Sequence, residues 1–301
     1  MPVIEQLRAL VLRHASEPRV HTAIPGLMLF RSETRSVPAH SMYRSRLYLI
    51  VQGSKRVILG AHAFIYDDSH YLITTIDLPV RSAVIQASAD QPYLALSLDF
   101  DRSDIANLLL ALPDERAARG ESEAGLAIAK LDDPLLLAVL RLSSLLDTPQ
   151  DIAVLAPLMR QEIYYRLLRG PLGARLRQIA VADSHFSQIS QAMNWIKENH
   201  AQSFGVTDLA QSVGMSTPSL FRHFKAVALM SPIQYRTQIR LQEARRRLVT
   251  DGEDAAEAGF AVGYESPSQF SRDYRRMFGI PPAQDAARMR EETASLRSMG
   301  K

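Results

Sequence analysis

Two stretches of the last third decide the fold: GMSTPSLFRHFKAVALMSP at 214–232 and GYESPSQFSRDYRRMFGIPP at 263–282. Gly214 matches Gly263, Pro218 matches Pro267 and Ser219 matches Ser268, all 49 residues apart. After one inserted residue the spacing becomes 50, with Leu220 on Phe270, Arg222 on Arg272, Phe224 on Tyr274 and Pro232 on Pro282. Self-similarity over such a span marks one supersecondary unit used twice. Each copy reads as helix, tight turn, helix. Residues 206–213 and 255–262 supply the leading helices, and Gly214 and Gly263 stand where a helix ends in the left-handed region. Ser216 or Thr217 in the first copy, and Ser266 in the second, can cap the next helix, with Pro218 and Pro267 in a first turn that needs no amide hydrogen. Two helices joined by so short a turn make a helix–turn–helix.

The second helix of each copy is the expected reader of DNA. Leu220 and Phe224, like Phe270 and Tyr274, fall four residues apart and form a buried stripe. The opposite face carries Ser219, Phe221, Arg222 and Lys225 in one copy, and Ser268, Gln269, Arg272 and Arg275 in the other. Arginine pairs bidentately with guanine, glutamine with adenine, and an apolar side chain touches the thymine methyl. Lys225, Arg275 and Arg276, near helix ends, are placed for phosphates. Between the copies, residues 232–249 set Tyr235, Ile239, Ala244 and Leu248 as an apolar stripe among Arg236, Arg240, Arg245, Arg246 and Arg247. This helix spans roughly 27 Å at ~1.5 Å per residue, against ~34 Å between successive major grooves on one face of B-DNA. Readers set beyond its two ends can therefore enter adjacent grooves. The arginine run is either a solvated helix face or a phosphate contact, and Arg245 is carried as the phosphate candidate.

Composition agrees with this and removes alternatives. The 301 residues suffice for two domains, and 47% hydrophobic against 22% charged residues is the balance of a globular chain. There are no cysteines, which excludes disulfides, thiolate metal sites and thiol nucleophiles, and with them a DNA-repair alkyl transferase of similar helical build. No uncharged apolar run approaches the ~18–20 residues of a membrane span. Glu5, Arg8 and Arg13 interrupt the apolar N-terminus, which reads as an amphipathic helix and not as a secretory signal, so the default location is cytoplasmic. Residues 1–186 carry 20 basic and 20 acidic side chains, whereas 187–301 carry 15 and 12. Within 207–250 seven basic residues face only Asp208 and Glu243, a local charge of +5 that suits a polyanion.

Upstream, residues 24–100 hold short β-branched and aromatic runs such as RLYLIV at 46–51 and YLALSL at 93–98, separated by turn-like clusters, which predicts a sandwich or small barrel. From 102 the period changes to three and four, giving two or three amphipathic helices, and the stretch after Arg169-Gly170-Pro171 opens a linker. No nucleophile elbow or phosphate-binding glycine loop occurs, and no cofactor or enzyme activity is expected.

The chain resembles the AraC/XylS-type transcriptional regulators. The resemblance is carried by Trp195-Ile196, Leu209-Ala210, Gly214-Met215-Ser216, Arg222, Phe224-Lys225, Ser231-Pro232, Arg240-Leu241, Gly263-Tyr264, Phe270-Ser271-Arg272, Phe278-Gly279 and Pro281-Pro282. It implies base contacts from Pro218, Phe221 and Arg222, and from Ser268, Gln269 and Arg272. Leu229 stands where the family usually has glycine. The segments 47–60 and 91–101 are similar to the cupin-like sensor barrel of one branch. The implied organisation is α+β: a sensing and dimerising domain at 1–170 (barrel about 20–100, helices about 102–170), a linker at 171–186, an all-α double helix–turn–helix domain at 187–287, and a tail at 288–301. The implied partners are double-stranded DNA, RNA polymerase, a second copy of the chain and a small-molecule effector. Tyr43, Tyr48, Lys55, Tyr66, Tyr71 and Tyr93 are the candidate pocket residues, with simple packing the alternative for each. A cupin enzyme bearing a DNA-binding domain is the rival, but a metal cupin needs two histidines two apart and a nearby glutamate. His40 is followed by Met42, His62 and His70 stand apart, and no glutamate occurs between Glu33 and Glu115, so no metal is expected.

Overall fold

The apolar runs of the N-terminal part become strands that sort into two antiparallel sheets. The computed structural model describes residues 1–112, 124–180 and 184–299, with side chains to residue 291. Its strands are β1 (Arg19–His21), β2 (Leu27–Ser32), β3 (Ala39–Tyr43), β4 (Arg46–Gln52), β5 (Ser54–Leu59), β6 (His62–Asp67), β7 (His70–Thr74), β8 (Leu78–Gln86), β9 (Tyr93–Asp99) and β10 (Leu126–Lys130). One sheet runs β1-β2-β9-β4-β7-β10, the other β3-β8-β5-β6. Because side chains alternate along a strand, the first sheet has two different faces. Leu27, Leu29, Leu47, Leu49, Val51, Tyr71, Ile73, Leu94, Leu96 and Leu98 share one apolar cluster with the helices. Arg46, Tyr48, Tyr93 and Ser97, of opposite parity, face the second sheet, as the Tyr43–Tyr48 stack across the gap shows. β10 corrects the sequence expectation of helix throughout 102–170: Leu126 to Lys130 pair with Thr74 to His70.

The helices of this part are α1 (Val3–His14), α2 (Arg102–Ala111), α3 (Asp133–Ser144), α4 (Ile152–Arg169) and α5 (Gly173–Ala180). Asp101 caps α2 by accepting from Ser103 and Asp104 amides, and Asp132 caps α3 from the Leu135 amide. The expected linker is partly helix. Gly173 starts α5, and Leu176 is fully buried in the same apolar cluster, with Leu172 and Ile179 against it. Three apolar side chains at helical spacing give this segment a face to bury, which a linker lacks. Residues 181–183 of that expected linker lie outside the described residues.

The rest is helical: α6 (His185–Glu198), α7 (Val206–Ser212), α8 (Thr217–Ala228), α9 (Pro232–Arg246), α10 (Ala255–Ala261), α11 (Pro267–Phe278) and α12 (Pro282–Met299). A capping box between Ser231 and Gln234 starts α9, which runs for 15 residues, about 22 Å, and continues in a π-helical turn, Arg247–Asp251. α12 runs on into the expected tail, through 288–299; residues 300–301 lie outside the described part. By contacts the chain divides into two units, Met1–Gln188 with Ala226–Leu229, and Ile189–Lys225 with Met230–Lys301.

Candidate nucleic-acid interface and barrel pocket

The two turns are built alike. After α7 the Met215 amide donates to Ala210 and the Gly214 amide to Gln211 (2.9 and 3.1 Å); after α10 the Tyr264 amide donates to Gly259 and the Gly263 amide to Phe260 (3.0 and 2.9 Å). Both glycines have positive φ, 67° and 86°. At Gly263 a Cβ would also meet the Ala201 carbonyl oxygen at 2.0 Å, so no larger residue fits.

The inserted residue lies in the turn and not, as the sequence alignment has it, between Ser219 and Leu220. Ser216 accepts from the Ser219 amide and Ser266 from the Gln269 amide, both at 3.4 Å, so the caps are already 50 apart while the glycines are 49 apart. The physical reason is periodicity: one residue added inside a helix would rotate every later side chain by about 100° off the buried stripe. In space Pro218 therefore matches Ser268, Ser219 matches Gln269, Phe221 matches Ser271 and Arg222 matches Arg272. Ser271, which is exposed, is the face position that the sequence reading passes over.

Leu220, Phe224, Phe270 and Tyr274 are fully buried, as the stripe requires. Pro218, Phe221, Arg222, Ser268, Gln269 and Arg272 are exposed, and Ser219 is half-buried. Arg222 Nη2 lies 3.1 Å from His223 Nε2. Lys225 and Arg275 are exposed without a carboxylate partner among the described residues, and Arg276 pairs with Asp273 (2.9 Å) while staying 74% exposed.

Arg245 departs from its expected role. Its guanidinium donates through Nε and Nη2 to both oxygens of Asp285 (2.7 and 3.1 Å) and lies over the Phe278 ring at 4.6 Å. Asp285 is fully buried and also accepts from the Tyr274 hydroxyl (2.9 Å). A forked guanidinium engaged on both carboxylate oxygens has its planar donor edge occupied, so this residue locks α9 to α11 and α12 instead of meeting phosphate. Arg246 pairs with Glu243 and Asp251, and Arg247 with Glu243 and Glu253. Arg240 donates to the carbonyls of His200 (2.5 Å) and Gln202 (3.1 Å) and lies 5.8 Å from the Tyr264 ring centroid, tying the loop after α6 to the second turn. Burial lowers the pKa of Arg236 and Arg240, for Arg240 with a further push from Arg236. Arg240 and Arg245 are thus scaffold, and Arg246, although exposed, is held by acidic partners as Arg247 is, whereas α8 and α11 present Arg222, Lys225, Arg272, Arg275 and Arg276 on exposed positions.

In the barrel, five of the six candidate pocket residues meet. Tyr43 stacks on Tyr48 (4.6 Å between centroids), and the Lys55 ammonium lies 5.4 Å from the Tyr43 centroid and 6.0 Å from that of Tyr93. Tyr66 pairs directly with Lys55 between β5 and β6. Tyr71 is not among them. It pairs with Leu49 and shares the parity of Ile73, so its ring joins the cluster under the helices on the other face. Burial, reinforced by Tyr43, pushes Tyr48 and Tyr66 well above the ordinary phenol range, and burial takes Tyr93 up to about 12. For Lys55 burial acts downward, but Tyr43 and Tyr93 outweigh it and the pKa is raised. A second interior cation, Arg46, is ion-paired to Asp99. Beside Gly53, whose Cβ position abuts the Tyr93 ring at 3.4 Å, lies a cavity of about 150 Å³ also lined by Arg35, Gln52, Gln86 and Gln91. His40, His62 and His70 stand on β3, β6 and β7, with His70 held by Asp67 (2.9 Å).

A strand-built sensor-like unit followed by paired helix–turn–helix readers defines a DNA-binding regulator of transcription. The family described as AraC-type transcriptional regulator N-terminus matches residues 23–175, and a helix-turn-helix domain family matches 209–288. The chain belongs to the AraC-type transcriptional regulators. An AraC-like transcription regulator of Streptomyces lividans is 32% identical over 94 residues, 31% of each chain. The HTH-type transcriptional regulator ArgR of Pseudomonas aeruginosa is 30% identical over 111 residues, 37% of this chain and 34% of that one. The matches thus span about a third of the length of these relatives. A structure of ToxT from Vibrio cholerae, with an unsaturated fatty acid bound, shares the fold at 11% identity and a TM-score of 0.55, covering 86% of this chain and 93% of that one. Among the described residues no helix is long and apolar enough to cross a membrane.

Proposed function

We propose that this regulator reads one operator with both recognition helices and that a small molecule in the N-terminal barrel modulates its promoter occupancy. The observation that carries the first half is the pair of exposed arginines, Arg222 and Arg272, at matching positions of two buried-stripe helices. Pro218, Ser219, Phe221 and Arg222 on α8, and Ser268, Gln269 and Arg272 on α11, are the proposed base-facing set, and Lys225, Arg275 and Arg276 the phosphate set. Pro218 and Phe221 donate no side-chain hydrogen bond, so α8 reads through Arg222 and van der Waals contact. Residues 187–287 are the proposed DNA-binding domain and 1–170 the sensing and dimerising one. The effector half is supported by the polar cage between the two sheets, and by the fatty acid held in the ToxT structure.

A cytoplasmic homodimer is proposed on the apolar side chains that α3 and α4 leave exposed: Leu137, Val154, Leu158 and Tyr165. Contact with RNA polymerase is proposed on family role alone, and no catalytic activity is assigned because the family is one of regulators. Replacing Arg272 by alanine tests the reading by gel shift. The expected result is a loss of roughly 1–3 kcal/mol on the cognate site with relaxed preference at one position. Unchanged affinity and preference would remove Arg272 from the interface.

A further inference from the structure

We propose that His223 is a positioning residue that holds the Arg222 guanidinium for its guanine. This rests on the reading of Arg222 as a base contact and adds to it a side chain outside the exposed face, since His223 is only 9% exposed. Its Nε2 lies 3.1 Å from Arg222 Nη2. A guanidinium has N–H donors and no acceptor, so the ring nitrogen accepts, which makes the imidazole neutral with its proton on Nδ1. A long side chain on a helix surface has several torsions to fix before it meets a base edge, and a bond to a rigid neighbour fixes part of them in the free protein. The ring is such a neighbour, because it is buried and followed in the chain by the fully buried Phe224. The fork survives this bond. Nη2 gives one N–H to His223 and keeps the other beside Nη1, a parallel pair that guanine O6 and N7 accept.

α11 supplies the contrast. Fifty residues on, Asp273 follows Arg272 as His223 follows Arg222. Its carboxylate is committed elsewhere: it pairs with Arg276 (2.9 Å) and accepts from the Tyr264 hydroxyl (3.3 Å). Arg272 is exposed and, among the described residues, makes no side-chain hydrogen bond or ion pair. The two reading arginines therefore share a position and differ in support, so removal of His223 acts on one half of the operator only. Direct contact of the imidazole with a base is not what the geometry offers, because the ring is buried while the reading face is exposed.

The test is a competition gel shift with the full-length protein, on an operator obtained by in vitro selection and on copies in which each G·C pair is replaced in turn by A·T. For the wild type, losing the guanine read by Arg222 lowers affinity at least about tenfold, and Arg222→Ala identifies that guanine by abolishing its penalty. His223→Leu keeps apolar bulk, removes the acceptor and shrinks the same penalty to about threefold, the change that one supporting hydrogen bond makes. The penalty at the guanine read by Arg272 stays as it was. His223→Gln, whose amide reaches the place of Nε2, restores most of the preference, whereas His223→Asn, whose amide sits at the place of Nδ1, does not. In the Arg222→Ala background none of the three has a further effect on that position. If His223→Leu fails to fold, glutamine against asparagine decides. An undiminished penalty in His223→Leu, equal losses at both guanines, no rescue by glutamine, or a further loss in the Arg222→Ala background overturns the proposal. Should Arg222→Ala abolish one penalty that His223→Leu leaves intact, the reading of α8 stands and only the positioning role falls. Should Arg222→Ala abolish none, both fall together.

Discussion

In the first helix–turn–helix, Phe224 of α8 packs edge-on against Tyr235 of α9 at 5.6 Å between centroids, and both are fully buried. At the corresponding places of the second, 50 residues on, stand Tyr274 and Asp285, equally buried, joined by a hydrogen bond and gripped by Arg245. The two halves keep one backbone and use different physics to hold it. An aromatic pair adds about 0.5–1.5 kcal/mol beyond its area and tolerates small displacements. A buried carboxylate with forked and hydroxyl donors fixes direction, at the price of desolvating charge. The consequence is directional: α11 is tied through Asp285 to α9, the rod on which its orientation depends.

The comparison breaks hardest at these buried positions. Tyr235→Ala should destabilise the first half by about 3–5 kcal/mol through the cavity it leaves. Asp285→Ala should destabilise the second by about 3 kcal/mol by leaving Arg245 and Tyr274 without their acceptor. Amide hydrogen exchange would localise each loss, and a uniform loss across both halves would refute the separate locks. Arg288 also donates to Asp285 (3.2 Å) but is 54% exposed, so replacing the other three members together, as Arg245→Met, Tyr274→Phe and Asp285→Leu, should recover stability to within about 1–2 kcal/mol of the parent in urea melts. No recovery would mean that the ionic cluster has no apolar substitute here.

Smaller effects sharpen the same comparison on the outer face. Phe221→Ser gives α8 the residue that α11 carries at Ser271, and should lower affinity by about 1 kcal/mol while weakening preference for thymine at one position in a binding-site selection. Lys225→Ala should reduce the salt slope of binding by about 1, without a change of preferred sequence. At the helix ends, Gly279 has φ 84° and Leu229, its counterpart, φ 55°. Gly279→Ala meets nothing within 4 Å, so its loss of about 1 kcal/mol in thermal melts would be backbone strain alone.

Much of this was legible because it is local. The Gly-stop and Ser-cap of each turn, the buried stripes Leu220/Phe224 and Phe270/Tyr274, and the strand runs of the barrel all follow from spacing. Leu229 shows the limit in one direction: the turn persists in left-handed geometry despite a β-carbon. Arg245 shows it in another, since nothing in an arginine run tells that a buried acid 40 residues away will claim one member. Alternation placed Tyr71 on a strand but not on a face, because both faces of the first sheet are covered. Letter matching puts the inserted residue on the wrong side of the cap, because it ignores that a helix cannot absorb one.

Guanine-methylation interference on the selected operator, with wild type, Arg222→Ala and Arg272→Ala side by side, tests most directly whether both helices read one duplex. Two clusters of critical guanines about one helical turn apart are predicted, one cluster losing its signal in each variant. A single cluster, or the same guanines lost in both variants, would contradict it.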